Sequence, residues 1–188
     1  MRWWWVRHGP THAKTMIGWT DLPADLSDVA ALRRLSDYLP DAPVVSSDLS
    51  RAVTTADAIQ NHRHRLPHAP ELREINFGNW ENRTFKDIEI ESPDLIRAYW
   101  EQPGTPTPPG GESWNNIETR VNRFVDAFPT HTSDVIAVAH MGVVLTQVRR
   151  ALGLTAYEAF SRKIDNLSVT CLEVTDGRWQ AHCINHLA

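Results

Sequence analysis

The stretch Arg2-Trp3-Trp4-Trp5-Val6-Arg7-His8-Gly9 is a short aromatic and β-branched run that ends at a glycine, the pattern of a strand followed at once by a turn. Helical and strand-like segments then alternate along the chain. Ser27–Leu39 places Val29, Ala30, Leu32, Leu35 and Leu39 at helical spacing behind Ser27, a natural N-cap. Ala42–Ser46 is a second short strand, and from about Asp48 to Arg63 the positions Leu49, Ala52, Ala56 and Ile59 are helical again. Strand, helix, strand, helix predicts an α/β fold with a largely parallel sheet.

Further along, Asp134–Ala139 is a continuous apolar run, as expected of a strand buried on both faces, with a helix from near Val143. Between these landmarks Phe85–Ile90 and Asp94–Trp100 read as helices, and residues 102–111 as a stiff proline-glycine loop. Ser113 caps a helix to about Phe128, with Ile117, Val121, Phe124 and Val125 on one face. Val169–Val174 and Trp179–Ile184 flank Asp176-Gly177, a hairpin signal. With a two-residue turn, Cys171 pairs with His182 and Cys183 with Thr170, so the thiols lie on opposite faces; a three-residue turn would bring them face to face. No repeat or linker interrupts the chain, which reads as one domain.

A chain of 188 residues, 41% hydrophobic and 22% charged, can bury a core without metal or disulfide help. A net charge of −4 argues against a general nucleic-acid binder but not against a small anionic substrate, since a cleft can be positive inside an acidic molecule. Two cysteines are too few for a disulfide framework. No apolar run approaches the ~18 residues of a membrane span, and the N-terminus lacks a signal peptide's apolar stretch. A cytoplasmic protein, with neither a nucleic-acid nor a membrane partner, is expected.

The chemistry sits after two strands. Arg7-His8-Gly9 follows the first, and His140-Met141-Gly142 follows the buried run at 134–139. In open α/β sheets the carboxyl ends of strands line the ligand crevice. A lone histidine at a strand end is usually a satisfied structural residue. Here two occur, Arg7 stands beside one, and a helix N-terminus with free N–H groups follows the other, which together make an anion site. The run His62-Arg63-His64-Arg65, with His68 nearby, reads as a solvated helix end where positive charge suits the dipole.

Four further stretches carry a resemblance. Ser46-Ser47-Asp48-Leu49-Ser50-Arg51-Ala52, continued by Thr54-Thr55-Ala56, resembles an S-x-L-x-R-A-x-x-T-A segment. Leu72 to Glu81 resembles L-x-E-x-x-F-G-x-W-E, Pro109-Gly110-Gly111-Glu112-Ser113 a GGES helix start, and Ala139-His140-Met141-Gly142 a second-histidine motif. With Arg7-His8-Gly9 as RHG, the ordered set resembles the histidine phosphatase superfamily, which also contains the cofactor-dependent phosphoglycerate mutases. The resemblance implies a single-domain three-layer α/β/α fold with a mostly parallel central sheet, phosphoglycerate mutase-like, and needs neither metal nor cofactor.

It also implies roles. His8 would attack phosphorus through a neutral ring nitrogen, its other nitrogen holding a proton against a backbone carbonyl. Arg7 and Arg51 would grip the phosphate oxygens, and His140, if cationic, would add a donor. Gly9, Met141 and Gly142 would complete the phosphate site. Glu74 would protonate the leaving alkoxide, for which its pKa must be raised; Glu81 is the competing acid. Arg51 has the bland alternative of a surface residue, or of a local ion pair with Asp48.

The chain departs from the family's RHG-E-T-x-x-N, since Pro10-Thr11-His12-Ala13-Lys14 follows Gly9. Lys14 or Thr11 would take over the missing phosphate contact, or Lys14 would only point into solvent. Asn82 stands where the family often has glycine, and Asp28 where an early helix glycine is usual. The expected activity is hydrolysis of a small phosphomonoester, by a monomer or homodimer nearest the broad-specificity and α-ribazole-phosphate-type phosphatases. A bisphosphoglycerate-dependent mutase is the alternative, disfavoured because residues 84–111 hold only Lys86 and Arg97 as bases. A dead phosphoester-binding module is the third reading.

Overall fold

Alternation along the first strand builds the layers. In the computed structural model, which describes residues 1–129 and 132–188, Arg2–Arg7 forms strand β1. Trp3 and Trp5 point to one side, stacked 5.1 Å apart, while Val6 joins the core of the other and Trp4 packs at its edge. Helix α1 (Val29–Tyr38), strand β2 (Val44–Ser46) and helix α2 (Ser50–Gln60) follow, then α3 (Phe85–Glu91), α4 (Pro93–Glu101) and α5 (Trp114–Ala127). Strand β3 (Asp134–Ala139), helices α6 (Met141–Leu152) and α7 (Ala156–Phe160), and the hairpin of β4 (Val169–Thr175) and β5 (Arg178–His186) complete the chain. Helices α1 and α2 cover the Val6 face, and α5 and α6 the Trp3/Trp5 face, giving the expected three layers. No helix among the described residues is long and apolar enough to cross a membrane.

The sheet order is β2-β3-β1-β4-β5. It is mixed rather than mostly parallel: β2, β3 and β1 run parallel, whereas β1–β4 and β4–β5 are antiparallel. The two-residue Asp176-Gly177 turn, both residues at positive φ, can only join antiparallel strands. All six residues of β3 are buried, as its apolar run predicts.

Four local expectations change. The α1 N-cap is Asp28, whose carboxylate accepts from Ala31 N at 2.9 Å, because Ser27 is already turned into the bend held by Asp25. Helix α6 starts at Met141, two residues before Val143, since His140 itself takes the extended cap conformation. Arg63 is buried and donates to the carbonyls of Ser36, Leu39, Pro40 and Ile59, so it closes the C-terminal ends of two helices and is not solvated. In the hairpin the two-residue turn holds as far as Leu172–Ala181, and then a β-bulge shifts the register. It sets Cys171 opposite Cys183, both free thiols, and overturns the opposite-face expectation.

Candidate active site

The C-terminal ends of β1 and β3 lie side by side, Arg7 opposite Ala139, so the residues one step on must meet. The rings of His8 and His140 are 5.0 Å apart and tilted by 59°. His8 Nδ1 lies 2.6 Å from Gly9 O, and a carbonyl can only accept, so Nδ1 carries the proton and Nε2 the lone pair. Burial first, then the positive charge of Arg51 and Arg7, push the His8 pKa down to about 3 against the pull of the Gly9 carbonyl. The ring is neutral.

Arg51 is 1% exposed, and neither a surface residue nor a partner of Asp48, which pairs with Arg73 instead. Its guanidinium donates to Thr20 O at 2.9 Å and Gly18 O at 2.6 Å, drawing the 18–21 loop over the site. Arg7 donates to Ile164 O, while its Nε is buried without a partner. His140 is fully buried, and among the described residues neither of its ring nitrogens has a hydrogen-bond partner. Burial, the neighbouring His8 and the arginines 51, 120 and 7 hold its pKa well below the ordinary value. His140 is therefore neutral, able to donate one N–H, and not the cation considered from sequence.

The two candidate acids separate cleanly. Glu74 Oε1 accepts from Ile75 N and Gly142 N, each at 3.0 Å, so it sits on the first turn of α6. Burial raises its pKa despite those amides and the charges of Arg51 and Arg7. Gly142 makes the approach possible, since a Cβ there would stand 2.4 Å from Glu74 Oε1. Glu81 accepts instead from the backbone N–H groups of Gly18, Trp19, Thr20 and Phe77 and from the Thr20 hydroxyl. Burial raises its pKa, but the Thr20 hydroxyl and the amides outweigh it and hold the carboxyl below its ordinary value. Glu81 is an ionised loop clamp.

Lys14 is exposed and makes no hydrogen bond or ion pair among the described residues, and Thr11 is partly exposed. Met141 opens α6 beside the pair. Three residues that the sequence reading left without a role are built in. Arg120 donates to the carbonyls of Glu71, Arg73 and Glu74 and is gripped by Glu112, so the GGES segment secures the Glu74 loop. Asn166 Nδ2 donates to His8 O at 2.8 Å. The spacing of these residues from the histidines carries no local signal. Among the described residues no group of three or more His, Cys, Asp or Glu side chains could hold a metal.

A family model described as Histidine phosphatase superfamily (branch 1) matches residues 3–187. The chain belongs to that family. A curated relative, the adenosylcobalamin/alpha-ribazole phosphatase of Salmonella typhimurium, is 29% identical over 187 residues, covering 94% of this chain and 92% of the relative. The crystal structure of the alpha-ribazole phosphatase from Shigella flexneri superimposes with a TM-score of 0.85 at 26% identity, over 100% of this chain and 98% of that one. The native mycobacterial glucosyl-3-phosphoglycerate phosphatase does so with a TM-score of 0.85 at 26% identity, over 100% and 99%. This histidine phosphatase therefore has its family's architecture from end to end, and it is a phosphatase.

Proposed function

We propose that this histidine phosphatase is a phosphomonoesterase that hydrolyses a small phosphorylated metabolite through a phosphohistidine at His8. The observation that carries the reading is the 2.6 Å contact of His8 Nδ1 with Gly9 O, which assigns the proton to Nδ1 and leaves Nε2 as a lone-pair nucleophile under the charges of Arg51 and Arg7, in a site with a buried carboxyl of raised pKa. Nε2 attacks phosphorus as the ester P–O bond breaks, and Glu74 gives its proton to the leaving alkoxide. Glu74, now a carboxylate, takes a proton from the attacking water. The P–N bond then breaks, releasing phosphate and restoring both residues. Arg7, Arg51 and one N–H of His140 meet the charge on the non-bridging oxygens. Gly9, Met141 and Gly142 shape the phosphate pocket, with Thr11 and Lys14 at its open side.

Of the two bases in residues 84–111, Arg97 is paired with Glu89 at 2.8 Å and Lys86 is exposed, so little remains there to clamp a second phosphate. That supports hydrolysis over mutase chemistry. The relatives act on alpha-ribazole phosphate and glucosyl-3-phosphoglycerate by name, so phosphorylated sugar derivatives head the substrate panel. In rapid quench, a base-stable and acid-labile phosphoryl group is expected on the protein, with phosphate release far exceeding 3- to 2-phosphoglycerate interconversion. Near-normal turnover in folded His8→Ala would overturn the reading.

A further inference from the structure

We propose that Asn166 and Thr55 are positioning residues for the nucleophile: together they hold both polar groups of the His8–Gly9 peptide and thereby set where His8 Nε2 points. The proposal rests on His8 as the phosphorylated residue. Among the described residues the ring is hydrogen-bonded only through Nδ1 to Gly9 O, so its aim follows that carbonyl. The direction of the carbonyl depends on the torsions of Gly9, which lacks the Cβ that restricts other residues. A Cβ at position 9 would press on Leu26 Cδ2 at 2.7 Å and on Asp25 O at 3.2 Å, so a stiffer residue there would displace its neighbours.

Two side chains and a proline supply the missing constraint. Pro10 restricts the torsion that follows Gly9. The peptide before Gly9 is pinned at both ends, His8 O accepting from Asn166 Nδ2 at 2.8 Å and Gly9 N donating to Thr55 Oγ1 at 2.9 Å. The polarity of the second bond is fixed, because the Thr55 hydroxyl spends its own proton on Arg51 O at 2.7 Å. Thr55 thus bonds only the backbone of the phosphate-binding candidate Arg51 and leaves its guanidinium, which Gly18 O and Thr20 O hold, untouched.

Asn166 is itself held by strain and by the edge strand. Leu167 sits at φ +60°, a left-handed conformation rare for a leucine, while its N–H bonds Arg7 O at 2.9 Å. On the other side Asn185 of β5 brackets Asp165, its Oδ1 accepting from Asp165 N and its Nδ2 donating to the carboxylate at 3.0 Å. Such strain persists only where the surroundings over-determine it, and what this loop delivers is one amide against the nucleophile's carbonyl.

The test measures phosphoenzyme formation by rapid quench, alongside KM and the melting temperature, in Thr55→Val, Thr55→Ser and Asn166→Asp. Asn166→Ala stands in if the aspartate variant does not fold. Misplacing a reacting atom by an ångström costs about 100-fold, so Thr55→Val and Asn166→Asp are expected to slow phosphorylation by roughly 10- to 100-fold. KM should stay within about twofold, because the groups that bind phosphate are untouched. Thr55→Ser keeps the hydroxyl and should restore most of the rate. Wild-type phosphorylation rates in folded Thr55→Val and Asn166→Asp would overturn the proposal, as would a loss confined to KM or Thr55→Ser as slow as Thr55→Val. The underlying reading fails separately: turnover in His8→Ala removes the nucleophile, whereas an inactive His8→Ala beside normal Thr55→Val and Asn166→Asp removes only the positioning role.

Discussion

Replacing Gly142 with alanine tests how the acid is held. The new Cβ would lie 2.4 Å from Glu74 Oε1 and 3.1 Å from two side-chain carbons of Ile75, where ordinary contact starts at 3.4 Å. The flexible carboxyl is the group that gives way, and it must retreat by about 1 Å, the gap between 2.4 and 3.4 Å. That lengthens its bonds from Gly142 N, now 3.0 and 3.2 Å, and carries the proton away from the leaving oxygen. An error of this size costs about 100-fold, within the ~10²- to 10⁴-fold that a general acid supplies in all. Stability moves less. Alanine gains up to ~1 kcal/mol over glycine inside a helix, and less in a first turn, whereas overpacking costs ~1–3 kcal/mol. Gly142→Ala should therefore melt a few degrees lower and keep its fold. Steady-state kcat would be compared for an alkyl phosphate and p-nitrophenyl phosphate, whose leaving group hardly needs a proton. The alkyl ester should lose about 100-fold and the aryl ester less than about tenfold. Equal losses on both esters, or an unchanged alkyl rate in folded protein, would refute the assignment of Glu74.

Four further outcomes are expected. Glu81→Gln should lower the melting temperature by weakening a carboxylate that accepts from five donors on Gly18, Trp19, Thr20 and Phe77, yet slow alkyl and aryl esters alike; a selective loss on the alkyl ester would move the acid role to Glu81. Glu74 must be protonated to act and its pKa is raised, so kcat/KM for an alkyl phosphate should be full below that pKa and fall as pH rises through it. The same shift makes Glu74 stabilising below 4.5 and costly above its folded value, so Glu74→Gln should gain stability over wild type in neutral and alkaline urea melts. In the proposed mechanism Arg7, Arg51 and His140 meet the phosphate charge without a metal, so activity should survive excess EDTA; loss on chelation with recovery in Mg²⁺ or Zn²⁺ would contradict it.

The parts of this fold legible in the sequence are those set by local pattern. The β1 and β3 runs and the capping serine at 113 depend on neighbours within a turn or on burial alone. From two strands ending in histidine, the meeting of His8 and His140 follows almost by topology. The features that stayed hidden are set by contacts between distant segments. Choosing Glu74 over Glu81 by physics needs the Gly142 amide on one and the 18–20 loop on the other, neither of which has a sequence spacing to read. The hairpin turn was legible, but the bulge beyond it was not, since a one-residue insertion in pairing leaves the apolar pattern intact. Asn166 looks like an ordinary loop residue until the strained backbone at Leu167 places it against His8.

One physical cause divides the labour between the two titrating groups that the mechanism joins. His8 and Glu74 are both buried, and burial disfavours the charged form of each, so it lowers the imidazole and raises the carboxyl. The arginines then act with opposite sense. Arg51 and Arg7 reinforce burial at His8, because a cation repels imidazolium, and oppose it at Glu74, because a cation attracts carboxylate. His8 is therefore driven firmly neutral, while Glu74 is held between competing influences, as the proposed acid needs if it is to give up its proton and regain it within one turnover. Bringing phosphate onto the arginines would weaken their pull on Glu74, so the substrate itself favours the protonated acid when an ester is bound. If Arg7 and Arg51 grip the phosphate as proposed, they also tie the protonation of Glu74 to whether the site is occupied.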